Sequence, residues 1–222
     1  MPEELRDHML ARWRRLWINR AADPAMTDAA FERLYALYSD PARGYHDLAH
    51  IKFCLDEFDT VRHLARHKHS VEAAIWWHDV IYDPTRGDNE ERSALMAEQE
   101  LASFGEAFGF MKRVYDIIMA TVHKGGIVDP DQQLMCDIDL ASLGTSSWET
   151  VCANSRGIRK EYAHVPEKLY VEKRSEILTG FALRESMYYT PHFREKYSAR
   201  AKDNILREVA ILPTLAKLDV LG

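Results

Sequence analysis

The chain has 222 residues, 46% of them hydrophobic, enough for the core of one large domain or two small ones. Its formal net charge of -6 gives no basic footprint for nucleic acid, and its Lys and Arg are interspersed with acids as on a solvated face. No apolar run approaches the roughly 18 residues of a membrane span, and Glu3, Glu4 and Asp7 stand where a secretion signal would be basic.

The cysteines, Cys54, Cys136 and Cys152, are odd in number and lack Cys-x-x-Cys spacing, which argues against a disulfide framework or a thiolate zinc site. These features predict a soluble cytoplasmic protein with no nucleic-acid and no membrane partner. They leave the oligomeric state open.

Helical periodicity dominates and no convincing alternating strand is found. Residues 3–20 place Leu5, Met9, Trp13, Leu16 and Trp17 on one stripe. Thr27 reads as the cap of a second helix presenting Phe31, Leu34, Tyr35 and Tyr38, which Asp40-Pro41 stops. After Pro41–Gly44 comes a helix predicted to hold His46 and His50 one turn apart, with Leu48, Ile51, Leu55 and Phe58 forming a core stripe on another side. His63, His67 and His69 lie among Arg62, Arg66 and Lys68 and read as solvated.

Ser70 reads as the N-cap of a helix running through Ala73, Ala74, Ile75, Trp76, Trp77, His78 and Asp79. That helix is apolar nearly all round and should be buried, with the two tryptophans as core and pocket wall. A loop at 83–88, a helix from Asn89 to Phe104 and another from about Ala107 to Lys124 follow, the latter with His123 at its end. Asp129-Pro130-Asp131 starts a short helix through Met135, Cys136, Asp137, Ile138, Asp139 and Leu140, which Gly144 ends. Three more helices are predicted at about 146–163, 167–189 and 191–212, with Pro166 and Pro191 near the starts of the last two. The fold class expected is all-α, one helical-bundle domain over residues 1–222.

A carboxylate buried at Asp79 is costly unless it is paired or holds a metal. A buried His78-Asp79 beside His50 therefore asks for a shared cationic partner, and a divalent metal is the simplest. The ordered set His50, His78-Asp79 and a later aspartate, on an all-helical chain, resembles the HD-domain superfamily of metal-dependent phosphohydrolases. Pro41-x-Arg43-x-Tyr45-His46-x-x-x-His50, His78-Asp79-x-x-Tyr82-Asp83, Asn89-Glu90, Asp137-x-Asp139-Leu140, Arg159-x-x-Tyr162, Tyr170, Arg174 and Arg184 resemble more closely a little-characterised bacterial family of predicted HD phosphohydrolases. The resemblance spans nearly the whole chain.

The resemblance implies His50, His78, Asp79 and Asp139 as metal ligands, with Asp137 as the competitor of Asp139 or a partner orienting a ligand. Two imidazoles and two carboxylates suit Mn, Fe, Co, Ni or Zn better than Ca, and Mg remains open. Tyr-His-x-x-x-His is similar to the signature of cyclic nucleotide phosphodiesterases, where the first histidine protonates the leaving oxygen. That makes His46 a candidate general acid, the alternative being a capping or supporting histidine. Asp47 replaces the asparagine of that signature, and the large domain of those enzymes is missing, so cyclic nucleotides are not implied.

Glu90 resembles an acid that positions water in some HD nucleotidases, or it acts on the helix dipole. Arg159 and Arg174 are the arginines implied to grip a phosphate, ahead of Arg43, Lys160 and Arg184. His123 could serve a second metal or contact phosphate, or be a plain helix-terminal residue, and one site metal is the expectation. The activity implied is hydrolysis of a small phosphate ester or nucleotide. A di-iron oxygenase of the same superfamily and a metal-binding regulatory module without turnover are the rival readings.

Overall fold

The structure, a computed structural model, describes residues 3–20 and 22–218. It is all-helical, with ten α-helices, two short 3-10 turns and no strand among the described residues. The helices are α1 (Glu3–Trp17), α2 (Pro24–Tyr38), α3 (Leu48–Val61), α4 (Lys68–Trp77), α5 (Asn89–Ser103), α6 (Phe108–Ala120), α7 (Pro130–Leu140), α8 (Trp148–Glu161), α9 (Glu167–Ala182) and α10 (Pro191–Leu218). No helix among the described residues is long and apolar enough to cross a membrane.

Packing groups the chain into two units, Met1–Asp40 with His46–Cys136, and Pro41–Tyr45 with Asp137–Gly222. In the first, α4 is the central helix, buried at every position from Ser70 to Trp77 and packed against α1, α3, α5 and α6. Its aromatic end meets the stripe of α1. Trp13 makes edge contacts with Trp76 and Trp77, at centroid separations of 5.2 and 5.1 Å, and its indole N–H donates to the Thr27 carbonyl at 2.8 Å. Edge-to-face pairs of this kind add about 0.5–1.5 kcal/mol each beyond the area they bury.

Several helix ends differ from the sequence expectation. Asp23, with Pro24 after it, caps α2, whereas Thr27 lies inside the helix with its hydroxyl bonded to the Pro24 carbonyl. Asp is as good a cap as Thr, and proline fits the first helical position, so the earlier start wins. Ser70 is likewise inside α4. The start of that helix is held by Asp131 of α7, whose carboxylate accepts from the backbone N–H groups of Arg66 and His67 at 2.7 and 2.9 Å. α9 stops at Ala182 rather than near 189, and α10 runs through Pro213 to Leu218 rather than stopping at 212. An internal proline removes one helical hydrogen bond but does not oblige a long, packed helix to end.

In the second unit, α8, α9 and the 3-10 turn Ala141–Gly144 pack on α10. Ile158, Tyr170, Leu212 and Ala216 form its buried cluster, with Tyr45, Tyr162, Val165 and Val171 packed on it. Gly44 and Gly157 meet backbone to backbone: a Cβ on either would come within 2.3 Å of the other's carbonyl oxygen. The same approach lets Glu161 accept from the N–H groups of Gly44 and Tyr45 at 2.9 and 2.8 Å.

Candidate metal centre

The first unit brings together His50, Cys54, His78 and Asp79. Asp47 caps α3, accepting from the N–H groups of Ala49 and His50 at 2.8 and 3.2 Å, so the helix begins with Leu48 and carries His50 and Cys54 one turn apart on one face. His78 is the C-cap of α4, its N–H bonded to the Ala74 carbonyl, and Asp79 begins the following turn. The His-Asp pair therefore stands at the end of the buried helix, not within it as its apolar run suggested. There Asp79 keeps a side chain that is 17% exposed, whereas His78 is fully enclosed.

The imidazole of His78 is fixed by its neighbours. A carbonyl can only accept, so Nδ1, 2.9 Å from the Ile75 carbonyl oxygen, carries the hydrogen and donates it. In the neutral ring Nε2 then presents a lone pair, and it lies 3.1 Å from Oδ2 of Asp79. Two electron-rich atoms held this close require a positive charge between them, supplied by a second ring proton or by a metal. The hydrogen bond from the far nitrogen to a carbonyl is the support usual for metal-ligating histidines.

His50 Nε2 lies 3.6 Å from the same carboxylate oxygen, and the two rings are 5.4 Å apart. Cys54 Sγ is 3.6 Å from His50 Nε2. His50, Cys54 and His78 each offer a ligand atom within 4.8 Å of the others, and all three are buried. Ligands held at 2.0–2.3 Å around one first-row metal stand about 3–3.6 Å apart. The separations of 3.1 and 3.6 Å are thus of the length of the edges of a coordination shell, and the cluster around His50, Cys54 and His78 could hold a metal ion.

The turn behind Asp79 is stapled to α5. Ile81 N–H donates to Ser93 Oγ at 3.0 Å, Asp83 N–H donates to Asn89 Oδ1 at 3.0 Å, and Asn89 Nδ2 donates to the Asp83 carbonyl at 2.9 Å. Asn89, next to the candidate Glu90, is therefore a brace for the His-Asp turn. Glu90 itself is half-buried in the first turn of α5, where its charge also favours the helix dipole.

His46 precedes the cap residue and is not helical, contrary to the one-helix reading of His46 and His50. The two nevertheless stay close, with ring centroids 6.0 Å apart, because the cap folds the chain back over the first turn. The ring of His46 stacks on Tyr82 at 4.2 Å, which holds its plane. His123 also lies beyond its helix, which stops at Ala120, and adopts φ +56°, a left-handed conformation that closes the C-terminus of α6.

The remaining candidates lie in the second unit. Asp137 is fully buried and accepts from the N–H groups of Tyr189 and Thr190 at 2.7 Å each, holding the start of α10. Burial raises its pKa, partly offset by those two bonds. With both oxygens committed to these N–H groups, Asp137 anchors the start of α10, and Asp139 is half-buried on the last turn of α7. Arg159 is buried, donates to the carbonyls of Tyr162 and Val165, and lies over the Tyr170 ring. Arg174 directs Nε and Nη2 at Glu208 Oε1, at 3.3 and 3.2 Å.

Cys54 is the residue that sequence reasoning missed. The three cysteines are odd in number and lack Cys-x-x-Cys spacing, but the spacing His50-x-x-x-Cys54 on a helix carried the signal. Among known proteins, no family model matches the chain, and comparison with curated proteins and with solved structures gives no match either.

Proposed function

We propose that the protein is a metal-dependent phosphohydrolase acting on a small phosphate ester or nucleotide, with His50, His78, Asp79 and Asp139 as ligands of one divalent transition metal. The observation that carries this reading is the fixed tautomer of His78, whose Nε2 lone pair faces the Asp79 carboxylate beside His50. Asp139 enters as the fourth ligand because Asp137 is committed to the start of α10. A bound cation would lower the pKa of a coordinated water and offset the charge developing on phosphate.

The chain's own groups have distinct tasks. His46, stacked on Tyr82 and one ring away from His50, protonates the departing alkoxide. Glu90 orients the attacking water from the first turn of α5. Arg159 gives Nη1 and Nη2 to the carbonyls of Tyr162 and Val165, and Arg174 gives Nε and Nη2 to Glu208, so both serve as scaffold rather than as phosphate clamps. The net charge of -6 favours a small substrate over a polyanion.

The test is metal analysis of the purified protein together with a screen of phosphate esters and nucleotides. One equivalent of metal and metal-dependent release of phosphate is the expected result. Two irons with oxygen consumption would replace this reading by an oxygenase, and bound metal without turnover would replace it by a regulatory module.

A further inference from the structure

We infer that Cys54 is itself a ligand of this centre, so that the site takes a borderline-soft cation of the zinc, cobalt or ferrous class in preference to magnesium or manganese. The inference rests on the metal reading above and adds to it the identity of the cation. Cys54 is fully buried, and its position four residues after His50 directs its sulfur to the histidine face of α3. A thiolate at about 2.3 Å and an imidazole nitrogen at about 2.0–2.1 Å from one metal stand about 3.1–3.6 Å apart as the angle between them opens from about 90° to about 109°. The 3.6 Å between Cys54 Sγ and His50 Nε2 falls at the wide end of that range.

The bland alternative is a small buried side chain whose thiol leans on an imidazole. It accounts for the contact with His50 alone. It does not account for a sulfur atom within 4.8 Å of the ligand atoms of both histidines, one from α3 and the other from the end of α4. Hard cations ignore thiolates, whereas zinc, cobalt and ferrous iron favour them. On binding, the metal–sulfur bond replaces one metal-bound water, and the thiol proton leaves to solvent.

Cobalt reports sulfur directly, because a thiolate ligand adds a near-ultraviolet charge-transfer band to the weaker visible bands of the ion. Titrating the metal-free protein with Co²⁺ is expected to raise that band to a plateau at one equivalent. In Cys54→Ser and Cys54→Ala the charge-transfer band disappears while one equivalent of cobalt still binds. Zinc affinity falls by at least the roughly 10–100-fold that losing a mere supporting partner of a ligand costs, and manganese affinity is unchanged. X-ray absorption at the zinc edge of the unaltered protein should show one sulfur at about 2.3 Å, which needs no variant to fold. Cobalt bound without the charge-transfer band, or a zinc shell of nitrogen and oxygen alone, overturns the role of Cys54 and leaves the metal reading standing. Failure to bind either cobalt or zinc overturns both.

Discussion

His46 and His78 are both imidazoles of the first unit, and their surroundings assign them different work. His78 is locked by the Ile75 carbonyl and faces a carboxylate, whereas His46 lies on an aromatic ring outside the helix. His46→Ala should therefore leave metal content intact and lower turnover by about 10²–10⁴-fold, the usual worth of acid–base assistance. A nitrophenyl ester, whose leaving group needs little protonation, should recover much of that loss. His78→Ala and Asp79→Ala should lose metal and activity together, with no rescue by leaving group; metal analysis beside kinetics on both ester types separates the two outcomes. Tyr170 tests a different residue-level claim, because its hydroxyl is buried without a hydrogen-bond partner among the described residues. Burial pushes its pKa from 10.0 up to about 12. The folded state thus keeps a proton that the unfolded chain has lost, so its stabilising share is complete below pH 10 and disappears as pH rises towards 12. Tyr170→Phe should match or exceed the parent at neutral pH, by up to about 1–3 kcal/mol. It should also flatten the alkaline limb of a stability–pH curve, and a steeper limb would contradict the assignment.

At the scale of elements, carboxylates from distant segments set where helices begin. Asp131 of α7 holds the start of α4, and Asp137 holds the start of α10. This explains which boundaries were legible in the sequence. The start of α5 follows from a local residue, the bracing Asn89, and was read there, whereas the cap Asp47 was passed over and the start of α3 was placed ahead of His46. The start of α4 could not be read locally, since its anchor lies some sixty residues further on, and Ser70 was the best local substitute. The His-Asp motif was legible as buried and paired, but its place at a helix end was hidden because the apolar run continues through Val80 and Ile81. Asp137→Asn keeps the shape but replaces one acceptor oxygen by a donor, leaving Tyr189 or Thr190 N–H unsatisfied. A cost of about 1–3 kcal/mol is expected, together with faster hydrogen exchange confined to the first turns of α10. Exchange that accelerates uniformly over the chain would argue against a local anchor.

For the whole molecule, the all-α class followed from periodicity because the helices around the fully buried α4 bury one stripe each, and the grouping into two units did not, because no linker composition marks it. The boundary falls once inside a helix, after Cys136 of α7, and once in the Pro41–Tyr45 loop. Folding and metal binding are then linked wherever the ligands are absent from the unfolded chain in their native arrangement. Cation at 100 times its dissociation constant should stabilise the folded state by about 2.7 kcal/mol. For a chain of this size that raises Tm by roughly 5–11 °C, since each kcal/mol is worth about 2–4 °C. A chelator should reverse the shift. Tyr170→Phe, far from any ligand in sequence and committed to the cluster of Ile158 and Leu212, should keep the full shift, and His78→Ala should abolish it. Differential scanning measurements on the three proteins, with and without zinc, decide the matter. A shift that survives His78→Ala unchanged would assign the stabilising cation to some other part of the chain.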